Sequence, residues 1–263
     1  MHCVHSADVV RPWGTVGMAP SLRTRTEPIC SARVRQTDPV LARATFVVIA
    51  VVHLVAQLGW PEGRVASWSQ PLLMAALAWV LVSLVPAPVR SVRLVRLTLV
   101  ALFFSWLGDT LPRFLDGDVA FLAMIGGFLI AQVVYVVAFW PYRERSMLQR
   151  PAVVAPYVVL AVALVAVCAE QAGPLVPAVV VYAAALTAMA VLASGLGRLG
   201  WIGGAVFMVS DALIAIGAFT DIDVPLRSFA VMATYLAAQA LLVAAVVGEV
   251  RSERMEPVPV ALR

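Results

Sequence analysis

Apolar residues fall in eight long runs along the chain, at about 43–60, 69–86, 94–114, 119–140, 152–169, 175–194, 200–218 and 227–248. Each is close to the roughly 20 residues that an α-helix needs to cross a bilayer. Short polar or turn-forming stretches separate them: Trp60-Pro61-Glu62-Gly63, Pro86-Ala87-Pro88, Asp116-Gly117-Asp118, Pro141-Tyr142-Arg143, Gly173-Pro174 and Asp221-Ile222-Asp223. In lipid the backbone must satisfy its own hydrogen bonds, so runs of this length read as helices rather than strands. The pattern predicts an all-α fold, a polytopic bundle of about eight transmembrane helices over 43–248. A polar, Arg-containing N-terminal tail, 1–42, reads as disordered, and 249–263 as a C-terminal tail. Met18 is a candidate true start, and the tail lacks the short apolar run and small-residue cleavage site of a signal peptide.

Composition supports lipid as the solvent. Of 263 residues, 62% are hydrophobic and 13% charged, far from the half and quarter usual in soluble domains. The net charge of +4 comes with no compact basic and aromatic surface, so no nucleic-acid partner is expected. All 19 basic residues are Arg, and they test the topology. With eight spans and an internal N-terminus, 16 lie on the inner side and only Arg64, Arg113 and Arg227 on the outer. That split obeys the positive-inside rule and predicts both termini in the cytoplasm, in a cell inner (plasma) membrane. Cys3, Cys30 and Cys168 have no paired spacing, and His2, Cys3 and His5 sit in the tail; neither set reads as a disulfide framework or metal site. No metal and no cofactor is expected.

Two carboxylates lie where lipid should be: Asp109 in the third run and Asp211 in the seventh. An ionised carboxylate near a helix centre costs roughly 2.5–3.5 kcal/mol on insertion scales, so such residues face the bundle interior and mark a site. Ser105 and Phe207 each precede an aspartate by one turn and share its face. Pro112 lacks the amide that would bond the Gly108 carbonyl, leaving an acceptor beside Asp109. Arg113 reads as an interfacial anchor in preference to an ion-pair partner. Gln132 and Tyr135 share a face of the fourth run, Tyr235 and Gln239 one of the eighth; polar glue between helices and substrate contact are both open to them. Asp109 precedes Tyr135 by 26 residues and Asp211 precedes Tyr235 by 24, which suggests two four-helix repeats converging on a midplane site. Two patterns are set aside. Gly195-Leu196-Gly197-Arg198-Leu199-Gly200 fits a dinucleotide fingerprint but follows no strand, and His53 with Gln57 reads as a packing pair.

Several of these residues also carry a resemblance. Phe104-Ser105-Trp106-Leu107-Gly108-Asp109 resembles the S-x-x-G-D segment of the YhhN-like lysoplasmalogenase family, and Gly127-Phe128 through Tyr135 is similar to that family's next helix. Gly203-Gly204 through Phe207 to Ser210-Asp211 resembles its G-x-x-x-F-x-x-S-D signature, and Thr234-Tyr235 through Gln239 its T-Y-x-x-Q ending. The resemblance spans about 43–248. It implies hydrolysis of the vinyl-ether bond of a lysophospholipid, releasing a fatty aldehyde and a glycerophospho-headgroup. Vinyl-ether hydrolysis needs an acid to protonate the alkene and a carboxylate to stabilise the cation or activate water. Asp109 and Asp211 are the expected catalytic pair, sharing one proton. Ser105, Gln132, Tyr135, Phe207, Ser210, Tyr235 and Gln239 are the expected substrate-binding residues. The chain departs from the family at Gln132, where a His is usual; Gln bonds but does not titrate near neutral pH.

The rival readings are a proton-coupled small-solute transporter, which paired intramembrane aspartates also suit, and a noncatalytic membrane interaction protein. Expected partners are a lysophospholipid or ether-lipid substrate and membrane lipids, with the chain a monomer or small homo-oligomer.

Overall fold

The structure, a computed structural model, describes residues 38–86, 89 and 92–255. His2, Cys3, His5, Met18, Cys30 and most of the expected N-terminal tail lie outside the described residues, as does 256–263.

Every described element is helical: α1 Pro39–Gly59, α2 Arg64–Leu84, α3 Arg93–Thr110, α4 Gly117–Phe139, α5 Pro151–Ala172, α6 Val176–Ala193, α7 Arg198–Phe219 and α8 Arg227–Met255. Short 3-10 turns lie between several of them. Asp38 caps α1 by accepting from the Val40 amide at 2.9 Å, and Pro39 sits at the first helical position, where its missing amide costs nothing. α1 therefore starts four residues before the expected boundary at 43. α2 likewise begins at Arg64 rather than 69. At the other end α8 runs to Met255, so 249–255 is helix and not tail. Arg145 holds that last turn through Glu249 at 2.5 Å, and Tyr142 through Glu253 at 3.1 Å.

Seven helical stretches are long and apolar enough to cross a membrane, and one of them, Pro151–Leu196, has 46 residues. A straight helix of that length would run for about 69 Å, more than twice the hydrocarbon thickness. It does not run straight. Gly173 takes φ +49°, a left-handed conformation that ends α5, and α6 returns to pack along it. The expected count of about eight spans thus holds, and the chain is a multi-pass membrane protein.

Sequence neighbours pack in pairs, α1 with α2, α3 with α4, and α7 with α8; α4 meets α6, and α8 also touches α1, α2 and α3. Two crossings are close enough to need glycine. A Cβ on Gly127 would lie 2.7 Å from the Gly108 amide nitrogen, and one on Gly204 2.8 Å from the Ala190 Cα. With no hydrophobic drive between helices in lipid, such close backbone contact supplies the packing energy. The polar side chains are turned inward, while α1 exposes Val47, Val48, Val51 and Val55 and α5 exposes Val158, Val159 and Val162, as lipid-facing surfaces should.

Candidate functional site

All nine residues singled out from the sequence are buried, none more than 7% exposed. Asp109 lies next to last in α3. Its Oδ1 accepts from Gln70 Nε2 at 3.0 Å and its Oδ2 from the Tyr235 hydroxyl at 2.9 Å. Arg113 Nη2 donates to Gln70 Oε1 at 2.7 Å. The guanidinium can only donate, so the Gln70 amide is oriented by it, oxygen toward Arg113 and nitrogen toward Asp109. Arg113 is thus more than an interfacial anchor: it is turned inward and reaches Asp109 through Gln70.

Asp211, in the middle of α7, has a different surrounding. Its Oδ2 accepts from the Tyr182 hydroxyl at 2.7 Å, and its other oxygen makes no hydrogen bond among the described residues. Asp109 and Asp211 do not hydrogen-bond to each other and share no partner. The proton-sharing contact expected of the pair is absent; each carboxylate has its own tyrosine. Aromatic rings adjoin both: Tyr235, which donates to Asp109, meets Phe128 edge-on at 5.5 Å and Phe207 at 5.8 Å, and Phe128 lines a cleft with Asp211.

A second polar cluster ties α3, α4 and α8 together. The Tyr135 hydroxyl donates to Gln239 Oε1 at 2.7 Å, and Gln239 Nε2 donates to Ser105 Oγ at 3.0 Å. Ser210 is drawn away from both aspartates, donating to the Val231 carbonyl at 3.0 Å. Gln132 is fully buried beside the Tyr182 hydroxyl, yet neither of its side-chain polar atoms has a hydrogen-bond partner among the described residues. His53 is the packing residue expected of it. Ser69 donates to the Val65 carbonyl at 2.6 Å and so receives the His53 Nδ1 proton at 2.8 Å, leaving His53 Nε2 to accept from Gln57 at 3.2 Å.

Asp211 and Tyr182 open onto a cleft between α4, α5, α6 and α7, roughly 600 Å³ counting its open mouth. Its remaining wall is apolar, including Phe121, Met124, Phe128, Leu164, Leu186 and Phe219. Such a wall suits an apolar group, and Asp211 and Tyr182 are its polar members. Asp109 does not line this cleft; it touches it only through Tyr235 and Phe128.

Gln70 and Tyr182 were not singled out from the sequence. Each is the seventh residue of the helix that precedes an aspartate-bearing helix, α2 before α3 and α6 before α7. That correspondence is the signal that would have found them, and it supports the four-helix repeat.

A sequence model of the YhhN family matches residues 65–246, which include both aspartates and their partners. No curated protein and no solved structure matches the chain.

Proposed function

The chain belongs to the YhhN family, and from that premise we propose that it is a membrane-embedded ether-lipid hydrolase of the lysoplasmalogenase type. It cleaves the vinyl-ether bond of a lysophospholipid in the inner (plasma) membrane, as a monomer or small homo-oligomer. The observation that carries the reading is Asp211, a carboxylate in the wall of an otherwise apolar cleft, held by one tyrosine and with one oxygen unengaged.

In this reading Asp211 is the acid. Its free oxygen delivers a proton to the alkene carbon remote from the ether oxygen, and the double-bond electrons form the new C–H bond. The oxocarbenium ion left behind is captured by water, which loses a proton to a carboxylate. The resulting hemiacetal breaks its bond to the glycerol oxygen, taking up a proton there and releasing fatty aldehyde and glycerophospho-headgroup. Tyr182 orients Asp211. Asp109 already accepts two hydrogen bonds and is suited to remain a carboxylate, so it serves as the base that receives the water proton through the Tyr235 hydroxyl, which donates to it. Ser105, Tyr135 and Gln239 fix the positions of the α3 and α8 groups, and Phe207 packs the Tyr235 ring.

The test is mass spectrometry of aldehyde and headgroup products from purified protein given a lipid panel. Asp211→Asn should lower aldehyde release at least about a hundredfold, the lower range for a lost general acid, while membrane insertion is retained. Asp109→Asn should do the same. Full turnover in both variants ends the proposal. Solute flux into proteoliposomes without any product would replace it with the transporter.

A further inference from the structure

Of the three arginines at the arginine-poor end of the bundle, Arg64, Arg113 and Arg227, only Arg113 is bound into the aspartate network. Arg227 opens α8, and its guanidinium makes no hydrogen bond or ion pair among the described residues. The nearest acidic residues in sequence do not take it: Asp221 accepts instead from Gln171 at 3.3 Å. The guanidinium lies flat against Gly217 of α7, where any Cβ would collide with it. Arg227 and Ser228 are exposed at the arginine-poor end of the bundle, and Gly217 leaves room there for the guanidinium.

It lies in the wall of a pocket between α1, α7 and α8, with Gln57, Ser228, Gly217 and Ile214. Ile214 belongs to the wall of the apolar cleft as well. A polar, cationic pocket and an apolar cleft therefore adjoin across Ile214, one helical turn from Asp211. Gly217 and Asp211 are six residues apart, about 9 Å along a helix, which the five-bond path from a headgroup phosphorus to the ether oxygen at the far carbon of the glycerol spans only together with the hydrogen-bonding reach of the guanidinium and the carboxyl.

We propose that Arg227, with Ser228 beside it, binds the phosphate of a lysophospholipid headgroup, placing the ether oxygen next to Asp211 and the hydrocarbon chain in the α4–α7 cleft. The proposal rests on the hydrolase reading for the position of the scissile bond, but not for the binding itself. A guanidinium is suited to the task because it presents several donors in one plane to phosphate oxygens.

The experiment measures binding to the full chain in detergent, using three probes. These are a saturated 1-O-alkyl glycerophosphoethanolamine, which has no vinyl ether to hydrolyse, the 1-O-alkylglycerol of the same chain length, and glycerophosphoethanolamine without a chain. The wild-type protein should prefer the phosphorylated lipid over the alkylglycerol. Arg227→Gln should lose at least about tenfold of that preference, the factor that one charge-assisted hydrogen bond supplies. Gly217→Ala, which displaces the guanidinium, should lose preference in the same direction, and Arg227→Lys should keep part of it. An unchanged preference in Arg227→Gln overturns the proposal. So does equal weakening of both lipids, which makes Arg227 a structural residue. Chain-free headgroup binding as tightly as the lipid would assign the pocket to a soluble phosphate ester and overturn the lipid assignment. Because the alkyl lipid cannot be cleaved, failure of the hydrolase reading would appear separately, as selective binding with no aldehyde from the vinyl-ether substrate.

Discussion

Asp109 and Asp211 differ in what surrounds them more than in where they lie on their helices. Two donors fill Asp109, and a third group, Arg113, fixes one of those donors. Asp211 has Tyr182 alone. Removing that hydroxyl leaves a buried carboxyl with no partner, so Tyr182→Phe should depress turnover at least tenfold and lower stability by about 1–3 kcal/mol. Tyr235→Phe leaves Asp109 its bond to Gln70 and should cost less stability. Thermal unfolding in detergent, run beside the aldehyde assay, separates the two. Gln132 is the opposite case: its amide is buried with neither polar atom bonded. Gln132→Leu removes two unmade bonds from the folded state and should raise stability by about 1 kcal/mol or more. Its turnover should fall, since Gln132 stands beside the Tyr182 hydroxyl. A destabilised Gln132→Leu would mean the amide is bonded in the working protein.

The helices themselves were the most legible part of the sequence, because a spanning run declares itself by length and hydropathy alone. Their ends were less so. α2 begins with Arg64-Val65-Ala66-Ser67-Trp68, a segment too polar to count as a span, ahead of Ser69 and Gln70, which are needed inside. The aspartates were legible as costly groups in lipid; their partners were not. Gln70 and Tyr182 sit on mainly apolar helices, and which carboxylate each one meets depends on helix rotation, which hydropathy does not encode. Helix crossings are equally silent in sequence, and Gly126-Gly127 illustrates it. A Cβ at Gly126 meets nothing within 4 Å, whereas one at Gly127 falls 2.7 Å from the Gly108 backbone. Gly126→Ala should therefore gain up to about 1 kcal/mol of helix propensity. Gly127→Ala should lose roughly 1–3 kcal/mol by forcing α3 and α4 apart, and should reduce turnover because Asp109 follows Gly108. Equal effects of the two substitutions would mean that this crossing is not tight.

At the scale of the molecule, the number of crossings can be argued from one contact. Arg145 follows the end of α4 and Glu249 lies in the last turns of α8, and the two are joined at 2.5 Å. Both must then lie on one side of the membrane, so the chain crosses an even number of times between them. If Pro151–Leu196 crossed once, α5 to α8 would make three crossings and the contact would be impossible. With α5 and α6 as separate spans they make four, and Arg145, Arg150, Arg198 and Arg251 all fall on one side, the arginine-rich one. We expect that side to be the cytoplasm. In a chain stripped of its native cysteines, single cysteines at Asp116 and Asp221 should react with an impermeant thiol reagent added to intact cells. Cysteines at Glu144 and Arg198 should react only after the membrane is opened. Labelling of Glu144 and Asp221 from the same side would require an even number of crossings over α5 to α7, and hence an odd number between Arg145 and Glu249. The Arg145–Glu249 contact, and with it the pairing of α5 with α6 that shapes the cleft, could not then stand.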